Sequence, residues 1–349
     1  MKMALKVLTL EQSEEWDNIV RSFSNYDTYW LSGYVKAFKI HGDGEPHLFF
    51  YEDSNVKGIN VVMKRDVAKD IHFSKIIPEK LFYDFATPYG YGGWIVEGNN
   101  SESLFSSYEK WCANNGIISE FVRFHPVLEN HLFCENSYEV IPLGNTVAMD
   151  LRSPELIWNN IHSKNRNMIR KAQKNGVVIY SGRFPEIFFE FRKIYNSTMD
   201  KDNADAYYYF EPEFYYSILN DLPRNAQVFY AVYEGKVIAC SIMLISNGYM
   251  NYHLSGSIKE YANLAPSNLL LYEAALWGNA NGCKSLYLGG GVGSEEDSLY
   301  KFKKAFYKPD DVKRFFIGKK IFVQEKYNEL LSLRGQIESV YFPKYRAEK

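Results

Sequence analysis

The feature that most constrains the fold of this chain is an internal echo. WDNI at residues 16–19 returns as WNNI at 158–161. LFFYEDSNVKGINVVM at 48–63 returns as VFYAVYEGKVIACSIMLIS at 228–246, in both cases a strand, a turn and a strand. EKWCANNGIISEFVRF at 109–124 returns as EAALWGNANGCKSLYL at 273–288, a helix stopped at ANNG or ANG and followed by a strand. Three matches in one order predict two copies of a single α/β unit. Strands joined by hairpins and alternating with helices predict an α/β (α+β) chain of mixed sheets flanked by helices, not an all-parallel sheet. A chain of 349 residues has room for two such domains. The expected division is 1–150 and 151–311. Residues 312–349 form a terminal strand (312–323) and an amphipathic helix (324–340) that pack back on the first domain.

The bulk properties exclude several classes of function. A net charge of -2 gives no global field toward nucleic acid or an anionic membrane, so any polyanion must meet a local patch. Cys112, Cys134, Cys240 and Cys283 are scattered through apolar or mixed segments, which predicts reduced core thiols and no zinc site. The histidines show no metal-binding spacing. The first sixteen residues lack the apolar core and cleavage site of a signal peptide. The longest apolar runs are strand-sized, so no membrane span is expected. The expected location is the cytoplasm.

The two copies part company after the last matched strand. Copy one continues HPVLENHLFCEN, and copy two continues GGGVGSEEDSLYKFKKAFYK. Only the second has a glycine run and lysines, so the chemistry is expected there, with copy one supplying a wall. On a helix over 297–307, Leu299, Phe302 and Phe306 share an apolar face, and Lys301, Lys304 and Lys308 form a solvated stripe opposite. Lys303 falls on the apolar side. Such a lysine either snorkels to water or to a carboxylate, or it holds a cation in a cleft where negative charge develops. Gly289, Gly290 and Gly291 just before it would let a substrate approach the backbone closely. They do not form a P-loop, because no GK[ST] follows.

Two other patches carry candidate chemistry. A helix over 158–173 puts Trp158, Ile161, Met168, Ile169 and Ala172 on a core face, with Arg166, Arg170 and Lys174 opposite. That stripe is either solvated surface or a phosphate contact suited to arginine forks. The loop DFATPYGYGG at 84–93 presents Tyr89 and Tyr91, either as packed turn aromatics or as a surface for a bulky polar substrate. The aromatic run at 206–216 reads as helix packing.

The segments IWNNIHSKNRNMIRKAQKNGVVI (157–179), APSNLLLYEAALWGNANGCKSLYLGGG (265–291) and SLYKFKKAFY (298–307) resemble the Fem family of peptidoglycan aminoacyltransferases. The resemblance implies a tandem pair of GNAT-like domains. It also implies transfer of an amino acid from an aminoacyl-tRNA to an amine of a peptidoglycan precursor, a UDP-muropeptide or lipid II, without a resident cofactor. The family's Phe-Lys pair matches Phe302 and Lys303, and implies a lysine that stabilises the transferring carbonyl. In this reading the reaction takes place in a cleft between the copies. Tyr89 and Tyr91 line the acceptor side, and Arg166 and Arg170 hold phosphate. NLAPSNL at 263–269 stands where acetyl-CoA enzymes carry [QR]xxGx[GA], which argues against ordinary acetyl-CoA use. The long coiled-coil insertion of some Fem members is absent, and the chain is not basic. Hence either only the tRNA acceptor end is met, or the donor is an acyl-CoA and the acceptor an envelope or exopolysaccharide sugar. A third reading is a non-catalytic pair that binds a nucleotide-sugar peptide. A peripheral membrane contact accompanies a lipid-linked acceptor.

Overall fold

The computed structural model describes residues 5–348. In chain order the first elements are β1 (Lys6–Leu8), α1 (Ser13–Arg21), α2 (Ser32–His41), β2 (Glu45–Glu52), β3 (Val56–Asp66), β4 (Tyr83–Ala86), β5 (Ile95–Gly98), α3 (Glu102–Asn114), β6 (Ile117–Arg123) and β7 (Glu139–Asp150). Then come α4 (Pro154–Asn160), α5 (Ser163–Lys174), β8 (Val178–Gly182), α6 (Pro185–Lys201), α7 (Pro212–Asp221), β9 (Ala226–Tyr233), β10 (Lys236–Ser246) and β11 (Tyr249–Ser257). The last are α8 (Pro266–Ala280), β12 (Ser285–Gly289), α9 (Ser298–Lys304), β13 (Lys313–Ile321) and α10 (Gln324–Arg334). Two compact units result. One runs through Leu143 and resumes from Phe315 onward, and the other is Gly144–Arg314. Residues 144–150 thus go with the second unit, and the terminal strand and helix with the first.

In the first unit the strands lie in the order β1-β2-β3-β4-β6-β13. Only β4–β6 is parallel, and β5 pairs with the outer part of β3. In the second unit the order is β8-β9-β10-β11-β12-β7, with only β11–β12 parallel. The two orders are the same place for place. Each parallel pair is bridged by one helix, α3 or α8, the crossover that a parallel connection requires. The mixed sheets flanked by helices expected from the alternation of elements are therefore present. Burial is continuous from Ile238 to Leu244 in β10 and from Gly58 to Met63 in β3. Such runs arise where helices cover both faces of a strand. Against β9 and β10, α8 lays Leu270, Leu271, Ala274 and Ala275 into one core with Met243, Met250 and Leu286. Against β2, β3 and β6, α3 does the same with Leu104, Phe105, Tyr108 and Cys112. All four cysteines are buried free thiols.

The C-terminal segment is fastened to the first unit by charge as well as packing. Asp84 in β4 is fully buried and accepts from Arg65 Nε at 2.7 Å, Arg346 Nε at 2.5 Å and Tyr345 OH at 3.1 Å. Burial opposes ionisation of this carboxyl, but the charges of Arg65 and Arg346 outweigh it and hold Asp84 below the ordinary aspartate value of 3.8. The expected helix over 324–340 ends at Arg334, because Gly335 at φ 73° turns the chain out. The residues beyond it return so that Tyr345 packs with Tyr327, Leu330, Phe73 and Val67.

Two measurements follow for this fastening. Asp84→Asn leaves two arginines facing a neutral amide and should lower the unfolding free energy in urea by about 3 kcal/mol. The contribution of Asp84 is fully present above pH 4–5 and is lost as pH falls through its depressed native value. The gap between wild type and variant should therefore narrow on acidification below about pH 4. An unchanged gap between pH 7 and pH 3 would contradict the buried ion pairing.

Candidate functional site

The glycine run leaves the second sheet at the end of β12, where Leu286, Tyr287 and Leu288 are buried. Gly289 adopts φ 82°, a left-handed conformation that costs a side-chain-bearing residue 1–2 kcal/mol, roughly. Gly291 is fixed by close approach. A Cβ there would lie 2.1 Å from Glu295 O and 2.3 Å from Asp297 Oδ1. Asp297 ties the turn to α9, since its Oδ1 accepts from Tyr300 N at 2.8 Å and its Oδ2 from Val292 N at 3.3 Å. The glycines thus form a tight, specified turn between strand and helix.

Lys303 points back into that turn. It is 9% exposed, and its Nζ donates to Gly290 O at 2.6 Å. A Cβ on Gly289 would stand 3.3 Å from the same Nζ. Burial pulls the Lys303 ammonium from the ordinary 10.5 to about 8, and the negative charge of Asp297 acts the other way. An ammonium has three donors, and the main chain of the turn engages one. What remains is a desolvated cation beside a partly buried glycine turn, the kind of group that can stabilise an oxyanion. Snorkelling, the competing sequence reading, does not occur.

The phase of α9 differs from the expected one. Tyr300, with Lys303, is buried, Leu299 is exposed, and Phe302 is half-buried. The helix ends at Lys304, so Phe306 reaches the core from beyond it. Phe302 meets Phe306 edge-on at 5.5 Å. Two lysines expected in the solvated stripe use their ammonium groups on main chain instead. Lys304 donates to Pro309 O at 2.5 Å, and Lys308 to Asn159 O at 2.8 Å.

The single helix expected over 158–173 is two. The chain is extended at Ile161 and His162. The reason is a main-chain exchange with the segment after α9: His162 N donates to Ala305 O at 2.9 Å, and Lys308 N to Asn160 O at 2.7 Å. Neither bond could form if the helix ran through. The exchange brings the α4–α5 junction, and with it Arg166 on the first turn of α5, alongside the lysine helix. Arg166 and Arg170 lie over the Trp158 ring at 5.8 and 5.0 Å. Stacking of this kind leaves the edge of a guanidinium open for hydrogen bonding.

Tyr89 and Tyr91 belong to the first unit. Tyr89 stacks on Phe38 at 5.6 Å, and the Tyr34 hydroxyl donates to Tyr89 O. Tyr91 meets His125 at 5.3 Å and Tyr29 at 5.4 Å. The loop is bolted down by Arg123, whose Nε donates to Gly90 O at 3.0 Å, and by Asn130, whose Nδ2 donates to Gly92 O at 2.9 Å. Beneath it lies a pair that sequence reasoning missed. His125 Nδ1 accepts the amides of Val127 and Leu128, both at 3.2 Å. Its proton is therefore on Nε2, which donates to buried Asp27 at 3.0 Å. The available signal was the position of His125, which directly follows the copy-one strand just as the glycine run directly follows the copy-two strand.

Known proteins resemble this chain in part and in whole. Residues 161–304 match the model of the acetyltransferase (GNAT) domain. Over 177 residues the chain is 29% identical to the UDP-N-acetylmuramoylpentapeptide-lysine N(6)-alanyltransferase of Weissella viridescens; the match spans 48% of this chain and 50% of that protein. This chain therefore spans about half the length of that curated relative. The crystal structure of FemX covers 93% of this chain and 99% of its own, with a TM-score of 0.67 and 12% identity. A lysylphosphatidylglycerol synthetase C-terminal domain from Agrobacterium fabrum covers 95% and 98%, with a TM-score of 0.55 and 14% identity. The fold of FemX thus extends over nearly the whole of this chain.

Burying Lys303 has a cost that can be measured. With its value at about 8 in the fold and about 10.4 unfolded, the penalty is fully present below pH 8. It is relieved as pH rises from 8 through about 10.4, above which neither state holds the proton. A shift of this size corresponds to about 3 kcal/mol, of which the bond to Gly290 returns about 1 kcal/mol. Lys303→Met should therefore be more stable than wild type at pH 7 by about 2 kcal/mol, and the advantage should shrink between pH 8 and 10.5. A variant less stable than wild type at pH 7 would show that the ammonium is not desolvated.

Proposed function

We propose that this chain, which has the fold of FemX, is an acyltransferase of the Fem kind that passes an amino acid from an aminoacyl-tRNA to an amine of a peptidoglycan precursor. The observation that carries the reading is the buried Lys303 ammonium on the carbonyl of Gly290. The relatives' names supply the substrate class, because the Weissella viridescens protein is named as an alanyltransferase acting on a UDP-linked muramoylpentapeptide lysine. The acceptor amine attacks the ester carbon, the carbonyl oxygen becomes anionic, and Lys303 hydrogen-bonds that oxygen. The amide then forms as the ester C–O bond to the tRNA ribose breaks. The amine loses a proton to solvent, the departing ribose oxygen takes one up from solvent, and no resident cofactor takes part. Phe302 fixes the rotation of α9 through Phe306. Arg166 and Arg170 contact phosphate, and Tyr89 and Tyr91 are assigned to the acceptor, a UDP-muropeptide or lipid II. No described helix is long and apolar enough to cross a membrane. The reaction is placed in the cytoplasm, with peripheral membrane contact where the acceptor is lipid-linked.

A second reading keeps the fold and takes an acyl-CoA as donor, acting on an envelope sugar. The GNAT domain match over residues 161–304 favours it. A thermal-shift panel of aminoacyl-tRNA, acetyl-CoA and UDP-muropeptide decides between donors. Stabilisation by the first and third with none by acetyl-CoA is the expected result.

Turnover tests the role of Lys303 directly. Losing a donor to an oxyanion costs about 10² to 10³ in rate, so Lys303→Ala should retain at most about 1% of wild-type kcat. Since Lys303 acts protonated, wild-type kcat/KM should fall as pH rises through about 8. That alkaline limb should vanish in the variant. Wild-type turnover in Lys303→Ala would remove Lys303 from the reaction, and no turnover by the wild-type chain would return it to a binding protein. For the arginines, Arg166→Ala with Arg170→Ala should weaken binding of UDP-muropeptide by tenfold or more, roughly. Unchanged affinity would make the stripe a cover for Trp158 alone.

A further inference from the structure

Peripheral membrane contact, as proposed above, names no surface on the molecule. We propose that the excursion between β3 and β4, residues 67–82, is a docking surface for an anionic lipid bilayer. Its two ends are zipped together. Val67 N donates to Phe82 O at 3.0 Å, and Asp66 pairs with Tyr83 across the β3–β4 ladder. Between them the chain makes compact turns, with Ser74 N on Asp70 O and Ile76 N on Phe73 O, both at 2.9 Å. One set of side chains faces inward. Val67 and Phe73 are fully buried in the cluster that holds Tyr327, Leu330 and Tyr345, and Ile77 and Phe82 pack against it.

The other set faces water and has an unusual composition. Ile71 is 84% exposed, Ile76 54% and Leu81 47%, and Lys69, Lys75 and Lys80 are exposed among them. Single exposed apolar residues are ordinary. Three large ones interleaved with three lysines on one closed loop are the composition of an interfacial segment. The carboxylates sharpen the charge. Asp66 is turned onto the amides of Ala68 and Lys80, at 3.0 and 2.8 Å. Asp70 is turned onto the His72 amide at 2.9 Å and Arg346 Nη1 at 3.0 Å. Glu79 is the exposed carboxylate left. The C-terminal segment adds to the apolar side, since Phe342 packs on the same cluster while Val340 just before it is 96% exposed. A protein partner would be matched by apolar area alone. Lysines alternating with isoleucines on a rigid, inward-anchored loop match headgroup phosphates above acyl chains, and on that ground the occupant is an anionic bilayer.

The assignment stands apart from the transfer reaction, because vesicle binding needs no turnover. Full-length protein is sedimented with vesicles of phosphatidylglycerol and phosphatidylcholine, and with phosphatidylcholine alone, at two salt concentrations. Binding to the anionic vesicles that weakens with salt is expected, since exposed charges are screened. Each lysine near an anionic surface contributes about fivefold, so K69Q with K75Q and K80Q should weaken binding about 100-fold. I71S with I76S should weaken it at least tenfold, roughly, on losing two inserted side chains. Both variants should keep the wild-type melting temperature and turnover on a soluble acceptor. Three results would overturn the proposal: no binding of wild type to anionic vesicles, binding unaffected in both variants, or self-association abolished by I71S and I76S without vesicle binding. Turnover lost with vesicle binding kept would count against the transfer reading and not against this surface.

Discussion

An ammonium group taken out of water without a carboxylate beside it must be held by something cheaper than a counter-ion, and in this chain a backbone carbonyl holds it. Lys303 has no salt bridge among the described residues, and its direct hold is Gly290 O. That carbonyl faces the ammonium only because Gly289 takes a left-handed turn and Gly291 passes against Asp297. Asp297 in turn starts α9 and lends its charge at a distance. At its far end the helix is secured by the exchange of main-chain bonds with the α4–α5 junction. A helix of seven residues would be marginal alone. Fixed at both ends, it can keep a charged side chain on its buried face.

The same order of strands serves two different ends. In each unit a helix crosses to a strand that lies parallel to its neighbour, and the chain then leaves the sheet. In the first unit that exit is filled by His125, held to Asp27 and to two backbone amides. In the second it is opened by three glycines that receive a lysine. A histidine with both nitrogens engaged is closed to a ligand, whereas a lysine with donors to spare is open to one. The asymmetry between the copies is therefore one of hydrogen-bond saturation.

The architecture was legible because it is written in periodicity and punctuation. The hairpin turns, the glycine-stopped helices and the apolar strands each carry a local signal, and the mixed sheets follow from them. Lys303 was legible for a related reason: four residues after Leu299 it departs from the stripe of its neighbours. The phase was nevertheless shifted, since Tyr300 and not Leu299 faces the core, and a seven-residue helix offers too few turns to fix it. The break at Ile161 was not legible, because nothing in WNNIHSKN forbids a continuous helix; bonds from His162 to Ala305 and from Lys308 to Asn160, far apart in the chain, decide it. The Asp27–His125 pair and the Asp84–Arg346 pair were hidden for the same reason. Each partner looks ordinary until the fold brings it to the other.

The return of β13 and the residues after it to the first unit has a consequence for how the protein is made. The stretch Gly144–Arg314 leaves the ribosome whole and can close its own sheet as soon as it emerges. The first unit cannot. It lacks a sheet strand, and its buried Asp84 lacks Arg346, until residues 313–346 have followed the second unit. The unit that begins earlier in the chain is thus completed after the one that begins later. While Gly144–Arg314 is being made, the first unit keeps an open sheet edge beside β6, and an unpaired edge is open to mispairing.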